Sequence, residues 1–176
     1  MQDTFVEYII SKKNTPKDIA LKAGIILLAI LLSFAIIIFL SSVMPIAFLL
    51  TVGVCYGAYY LLTSMNIEYE YSVTNGDIDI DIIIAQRKRK RLLSVNSKNF
   101  ERYGKYKREE HINDNCQRKI FACDHIENPD NWYFTYKDVA KGDTLVVFSP
   151  NDRVLNAIKP FLNRLMQIQL DKQSNL

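Results

Sequence analysis

The feature that most constrains this chain is a stretch of 45 residues, 23–67, without a single Asp, Glu, Lys, Arg or His. A continuous helix of that length would be about 68 Å long, roughly twice the ~30 Å hydrocarbon core of a bilayer. Two membrane crossings therefore fit better than one. We predict the turn between them at Ser41–Pro45, because serines and a proline disfavour a continuous helix and Pro45 suits the first turn of the next one.

We place the transmembrane helices at about residues 19–40 and 46–63, in a hairpin over 19–65 that follows an N-terminal segment, 1–18. A cleaved signal peptide would have a shorter apolar core, and a buried helical pair would need more covering chain than the roughly 110 residues that follow. Gly53 and Gly57 form a small-xxx-small pattern, which favours packing against the tethered first helix over oligomerisation. Three tyrosines suit an interfacial aromatic belt: Tyr56, Tyr59 and Tyr60.

The charges around the hairpin predict its orientation. Four lysines precede the charge-free stretch, the hairpin tip is uncharged, and the chain becomes strongly basic soon after the second helix. Because cytoplasmic flanks carry excess Lys and Arg, we expect a multi-pass protein of the cell membrane with both termini in the cytoplasm. Three cysteines are no disulfide framework, although Cys116 and Cys123 could pair in the inverted orientation. The net charge of +3 does not indicate a nucleic-acid partner.

Residues 66–170 are predicted to form a separate domain that begins with a β-hairpin. Residues 67–74 and 77–82 alternate apolar and polar side chains, and Asn75-Gly76 between them is the strongest short hairpin signal. The expected register places six apolar side chains on one face: Tyr69, Tyr71, Val73, Ile78, Ile80 and Ile82. Three carboxylates then lie on the opposite face: Glu70, Asp79 and Asp81.

A third strand is predicted over residues 87–95. If Leu93 and Val95 face the core, strict alternation places Lys88 and Lys90 on the acidic face. The same alternation sends Arg89 and Arg91 beyond the core.

The rest of the domain combines strands with a C-terminal amphipathic helix. Three runs are β-rich, 118–123, 132–136 and 144–149, and the polar residues 104–115 suggest a loop or short helix. Ser149 is the predicted cap of a helix that Pro160 should kink or split. Its apolar stripe comprises Leu155, Ile158, Phe161, Leu162, Leu165 and Met166, and residues 171–176 form a polar tail.

The order of these segments resembles bacterial membrane proteins with a pleckstrin-homology-like (PH-like) domain. The resemblance rests on two apolar helices, the Tyr-x-Val-Thr-Asn-Gly hairpin, the basic third strand and the Ser-Pro-Asn-Asp helix start. More narrowly, residues 68–100 resemble an uncharacterised family of small membrane proteins from Gram-positive, clostridial-type bacteria. The resemblance implies an α+β membrane protein: a two-helix transmembrane hairpin, then a PH-like β-barrel or sandwich capped by a C-terminal amphipathic helix. It implies no catalytic residues.

The basic run is the sharpest candidate for a functional site, and its members are Arg87, Lys88, Arg89, Lys90 and Arg91. It could contact anionic lipid headgroups or a membrane protein partner close to the anchor. In the alternative interpretation, which we favour, these bases neutralise the acidic face and determine topology, since alternation sends the five side chains to two faces.

Two weaker patterns could bind metal. The spacing of His111, Cys116, Cys123 and His125 matches no standard zinc motif, so a buried cysteine among surface residues is the simpler interpretation. The alternating aspartates of residues 77–81 could hold a divalent cation, but a solvated strand face paired with lysine is simpler. Trp132, Tyr133, Phe134 and Tyr136 are expected to divide between the core and the surface of one strand.

No phosphate loop, nucleophile elbow or histidine-based acid–base set is present in the sequence. We therefore expect a protein that is not an enzyme and needs no cofactor. The sequence favours a membrane-anchored scaffold or binding module that contacts the lipid bilayer at the inner membrane surface. The alternative is an accessory subunit of a larger membrane complex, held through its transmembrane helices.

Overall fold

The first described element is a strand that no local sequence pattern predicted. The structure, a computed structural model, describes residues 5–111, 114–138 and 140–173. Strand β1 (Phe5–Ser11) pairs antiparallel with β2 (Ile67–Thr74) over its whole length, from Phe5 opposite Thr74 to Ser11 opposite Glu68. This strand escaped prediction because its hydrogen-bonding partner lies more than fifty residues away, beyond the apolar stretch.

Two helices occupy the apolar stretch and form a unit of their own with residues 84–87. Helix α1 (Pro16–Phe39) starts slightly earlier than predicted because Thr15 and Asp18 form a capping box. A 3₁₀ turn at Ser41–Val43 leads into α2 (Met44–Ser64), whose first turn contains Pro45. The predicted break is therefore confirmed.

Both helices are long and apolar enough to cross a membrane, with mean hydropathies of 2.7 for Pro16–Phe39 and 1.7 for Ser41–Ser64. No residue of α1 is buried, and Ala47 alone is buried in α2. A core helix of a soluble protein would be covered by other chain, so that alternative does not fit the described residues.

The small-residue pattern of α2 does not pack against α1, contrary to expectation. A methyl group built on Gly53 or on Gly57 would meet no other described part of the chain within 4 Å. Small residues permit close helix approach but do not enforce it, because other faces of the two helices can make the contact.

The first sheet has the order β1-β2-β3-β4, with β3 at Asp77–Ile84 and β4 at Lys88–Asn96. Asn75 and Gly76 both have positive φ, as a tight two-residue hairpin turn requires. The predicted apolar face is confirmed, since five of its six side chains are buried and Ile82 is half-buried. Leu93 and Val95 are also buried, as expected.

The second sheet has the order β5-β7-β8-β6. Its strands are β5 (Phe100–Lys105), β6 (Arg118–Ala122), β7 (Trp132–Asp138) and β8 (Gly142–Phe148). β7 is antiparallel to β5 and β8, whereas β6 is parallel to β8. β5 was not predicted, and the short helix α3 (Arg108–His111) lies in the segment expected to be loop or helix.

The described strands form two open four-stranded sheets, so the closed-barrel form of the expected fold is wrong. A 3₁₀ turn at Ser97–Asn99 separates β4 from β5. Because this turn replaces a hairpin, β5 does not extend the first sheet but begins the second one. The α+β character and the order of the elements match expectation.

Pro160 splits the C-terminal helix, as predicted. The pieces are α4 (Asp152–Ile158), a 3₁₀ turn at Lys159–Phe161 and α5 (Arg164–Gln173). Residues 171–173 of the predicted tail thus belong to α5, and 174–176 lie outside the described residues. The cap of α4 is Asn151, whose Oδ1 accepts the Val154 N–H at 2.9 Å, and not Ser149. Leu165, expected in the apolar stripe, is 70% exposed.

Candidate functional site

The basic run follows a tight turn that has no glycine. Ala85 and Gln86 adopt φ of +56° and +55°, a left-handed conformation that costs about 1–2 kcal/mol for each non-glycine residue. The Arg87 N–H donates to the Ile84 carbonyl at 3.1 Å, and the Ala85 N–H donates to the Asn66 carbonyl at 2.9 Å. The surroundings therefore hold the turn in a shape that its residues do not prefer.

Two arginines of the run neutralise the acidic face of the first sheet. Arg89 bridges Glu70 and Asp81, with 2.7 Å between Arg89 Nε and Asp81 Oδ2. Arg91 bridges Asp79 and Asp81, at 3.1 Å to each. The side chains of Glu70 and Asp81 are only 3% and 7% exposed, so both guanidinium groups neutralise charges that have largely lost their water.

The predicted partners of the acidic face were Lys88 and Lys90, and that assignment is wrong. Alternation counted back from Leu93 would keep Arg89 and Arg91 off the acidic face, yet these two make the ion pairs. β4 is an edge strand, and the long guanidinium fork can contact two carboxylates at once, which an ammonium does less well. Lys88 and Lys90 are exposed, and no described residue pairs with either.

Burial disfavours the charged form of Glu70 on the acidic face, even with the arginines present. Burial raises the pKa of Glu70 to about 7, and a hydrogen bond with Glu7 adds to this effect, whereas Arg89 lowers it. The hydrogen bond to Asp81 raises the pKa of Arg89, so the guanidinium remains charged. One oxygen of Asp79, Oδ1, is buried without a partner in the described chain.

Arg87, the first residue of the run, belongs to the helical unit. Its Nη2 donates to Thr63 Oγ1 at 2.7 Å, and its Cζ lies 4.5 Å from the ring centroid of Tyr60. Both partners lie near the end of α2 and neither is charged. The guanidinium is therefore held in place without losing its positive charge.

Lys22 completes this group, although it was not among the predicted site residues. Its Nζ donates to Asn14 Oδ1 at 2.8 Å and to Asn66 Oδ1 at 3.0 Å. The available signal was its position as the last charge before the apolar stretch. We call the group formed by Lys22, Asn66 and Arg87 the hairpin base.

His111 and Cys123 are buried and contribute to the packing of the domain. His111 is buried between the rings of Tyr106 and Tyr133, with centroid distances of 5.5 and 4.0 Å. Its Nδ1 lies 2.8 Å from Asp114 Oδ2, and its Nε2 has no partner among the described residues. Burial raises the pKa of the Cys123 thiol to about 11.

Within the described ranges, no three Cys, His, Asp or Glu side chains are placed to hold a metal ion. This statement covers the set of His111, Cys116, Cys123 and His125. It also covers the alternating aspartates, because Asp79 and Asp81 bind arginine, and Asp77 Oδ1 accepts the Asn96 amide at 2.6 Å.

A buried polar network that no sequence pattern predicted joins the two sheets. Ser149 Oγ lies 2.9 Å from Asp124 Oδ1 and 2.6 Å from Asn131 Oδ1. The Ser149 N–H donates to the Tyr71 hydroxyl at 3.1 Å, and that hydroxyl donates to the Ala122 carbonyl. Because each of these groups is at least nine-tenths buried, the network serves cohesion between the sheets.

One cavity of about 280 Å³ lies between the second sheet and the C-terminal helices. Its walls include the Tyr103 and Trp132 rings, which are 5.2 Å apart, together with Leu155 and Leu170. No residue of the basic run lines it.

Comparison with known proteins agrees with this architecture. Residues 2–168 match the family described as Bacterial PH-like domain (DUF6106). Neither the curated proteins nor the solved structures contained a match. Because the family match covers nearly the whole chain, including both apolar helices and both sheets, it confirms the PH-like resemblance. The chain belongs to the bacterial PH-like domain family DUF6106.

Proposed function

We propose that this protein is a non-catalytic binding or scaffold module whose PH-like domain is anchored at the inner membrane surface by two transmembrane helices. Three observations support the proposal. The chain belongs to a PH-like family, both helices are apolar and uncovered in the described chain, and the buried side chains of Ser149, Asp124 and Asn131 form hydrogen bonds within the domain. The helices would contact the lipids of the bilayer, and the PH-like domain would bind a protein partner.

The pairing of β1 with β2 is the observation that carries the proposal. Ser11 precedes α1 and Glu68 follows α2, yet the two residues are register partners in one sheet. A hairpin whose two ends are tied together in this way supports an even number of crossings, with both termini on the same side. The pairing also argues against a cleaved leader, because cleavage after α1 would remove the edge strand β1. The flanking lysines assign that side to the cytoplasm.

The buried polar groups support a non-catalytic function. Ser149 Oγ bonds to Asp124 and Asn131, and the Ser149 N–H donates to the Tyr71 hydroxyl. His111 lies between two tyrosine rings. These residue types often carry catalysis, but here their hydrogen bonds and ring contacts serve the packing of the domain.

Retention in membranes tests the anchor. Leu28 and Leu31 of α1 are 58% and 59% exposed, so arginine would be harmless there in water but would cost about 2.5–3.5 kcal/mol per residue in a bilayer. We expect Leu28→Arg/Leu31→Arg to increase the fraction released from cell membranes by alkaline carbonate. The matched control is Leu165→Arg/Ile168→Arg, an exposed pair with the same spacing on α5. Carbonate release of the wild type, or equal behaviour of the two variants, would contradict the proposed anchor.

A second candidate function is the accessory subunit of a larger membrane complex. It is favoured by the open face of α2 at Gly53 and Gly57, which α1 leaves uncovered. Purification of the wild type from native membranes should then recover a second membrane protein in stoichiometric amount. The Gly53→Leu/Gly57→Leu variant should no longer recover that protein. Gly24→Leu is the control, because Gly24 on α1 is equally open. Recovery of the same partner with both variants would reject this candidate.

A further inference from the structure

The charges of the helical unit gather at one end of the hairpin. Residues 13–67 and 84–87 contain four basic side chains and one acidic side chain, Asp18. Asp18 is used in the capping box of α1. No described carboxylate pairs with Lys22 or Arg87, whose contacts are amide oxygens, a hydroxyl and a ring. The hairpin base thus keeps a net positive charge.

Asn66 bonds both to Lys22 and to the turn that precedes Arg87. Its side-chain oxygen accepts the Lys22 ammonium at 3.0 Å, and its carbonyl accepts the Ala85 N–H at 2.9 Å. Ala85 begins the strained turn that ends at Arg87. This hydrogen bond holds the strained turn, and with it Arg87, close to the start of α1 and the end of α2.

The position of the hairpin base along α1 matches the headgroup level of a bilayer. From Lys22 to Phe39 the helix rises about 26 Å, close to the ~30 Å hydrocarbon core. Lys22 is thus one apolar span away from the hairpin tip. Tyr60, under the Arg87 guanidinium, is the kind of residue that lies at such an interface.

We infer that Lys22 and Arg87 bind the phosphate of an anionic glycerophospholipid at the hairpin base. This inference rests on the proposed membrane anchor. A guanidinium and an ammonium that are positioned by uncharged partners suit a phosphate, because the site keeps its charge and several donors are already oriented. The rest of the basic run differs. Carboxylates neutralise Arg89 and Arg91, and the exposed Lys88 and Lys90 have no described partner that would orient them.

The full chain, delipidated in mild detergent, is titrated with phosphatidylglycerol or phosphatidylcholine, and bound lipid is counted by native mass spectrometry. We expect the wild type to prefer phosphatidylglycerol. Lys22→Gln and Arg87→Gln should each weaken that binding about fivefold, the equivalent of about 1 kcal/mol for one cation at an anionic surface. Lys88→Gln/Lys90→Gln is the matched control and should bind as the wild type does.

Charge-preserving variants guard against misfolding. Lys22→Arg and Arg87→Lys should retain the preference, and added salt should weaken it in the wild type. Equal binding of the two lipids, salt-independent binding, or an equal loss in the Lys88→Gln/Lys90→Gln control would overturn the assignment. Full competition by glycerol phosphate would overturn it too, since the site would then take a soluble phosphate. Carbonate release of the wild type would defeat the anchor itself, whereas retention without lipid preference defeats only this inference.

Discussion

The hydroxyl group of Tyr71 offers the sharpest test of how the two sheets are held together. Tyr71 is fully buried, accepts the Ser149 N–H at 3.1 Å and donates to the Ala122 carbonyl. Tyr71→Phe keeps the ring, which stands edge-on to Phe148 at 5.7 Å, and removes only the oxygen. It leaves one N–H and one carbonyl buried without partners.

The expected cost follows from these two orphaned groups. A buried polar group that loses its partner costs about 1–3 kcal/mol, so we expect Tyr71→Phe to lower the free energy of unfolding by about 2–4 kcal/mol. That is a large part of the roughly 5–15 kcal/mol that stabilises a typical domain. Burial raises the pKa of Tyr71, so the phenol stays neutral and the loss should not change between pH 6 and 9.

Urea unfolding of the full chain in detergent can measure this loss. The emission of the single tryptophan, Trp132 in β7, reports the second sheet. Tyr69→Phe is the matched control, because Tyr69 is 8% exposed on the same strand and face, and its hydroxyl bonds to no described residue. The control should stay within about 0.5 kcal/mol of the wild type. Equal midpoints for both variants would refute the view that this hydroxyl joins the sheets.

Three further expectations can be tested by the same unfolding assay. The pKa of Glu70 is raised from 4.5 to about 7 in the folded chain, so the free energy of unfolding should fall as the pH rises through that window. Glu70→Gln should remove this part of the pH dependence, and parallel pH profiles of the variant and the wild type would contradict the expectation. Gly76→Ala should destabilise by more than about 1 kcal/mol, since φ is +88° and the new Cβ would lie 2.5 Å from Phe161 Cγ, whereas Gly104→Ala, with its nearest contact at 3.5 Å, should be milder. Ala85→Gly should stabilise by about 0.5–1 kcal/mol because it relieves a left-handed alanine, and a loss of stability would show that the turn is not strained.

Local patterns in the sequence were sufficient for several elements. The charge-free stretch and Pro45 predicted two helices and their break, which the structure places at Ser41–Val43. Alternation around Asn75-Gly76 predicted the hairpin of β2 and β3 and its buried face. Pro160 divides α4 from α5 as expected. Each of these signals acts over a few residues, through backbone geometry or the side-chain period, so it can be interpreted without knowledge of the fold.

Features that depend on distant partners were not accessible from local patterns. β1 exists because β2 returns beside it after the hairpin, and β5 begins a second sheet because a 3₁₀ turn interrupts the connection from β4. Ser149 has the sequence context of a helix cap. In the fold, however, its hydroxyl bonds to Asp124 and Asn131, and its N–H donates to the Tyr71 hydroxyl.

The basic run shows the same division at the candidate site. Residue order alone predicts that five cations follow two apolar helices and a strand of alternating carboxylates. Which of these cations are neutralised depends on the folded chain. Arg89 and Arg91 bond to buried carboxylates from neighbouring strands, whereas Arg87 bonds to Thr63 and Tyr60 of the helical unit. Composition and order fix how much charge a segment carries, but neutralisation depends on which groups the fold brings within about 3 Å.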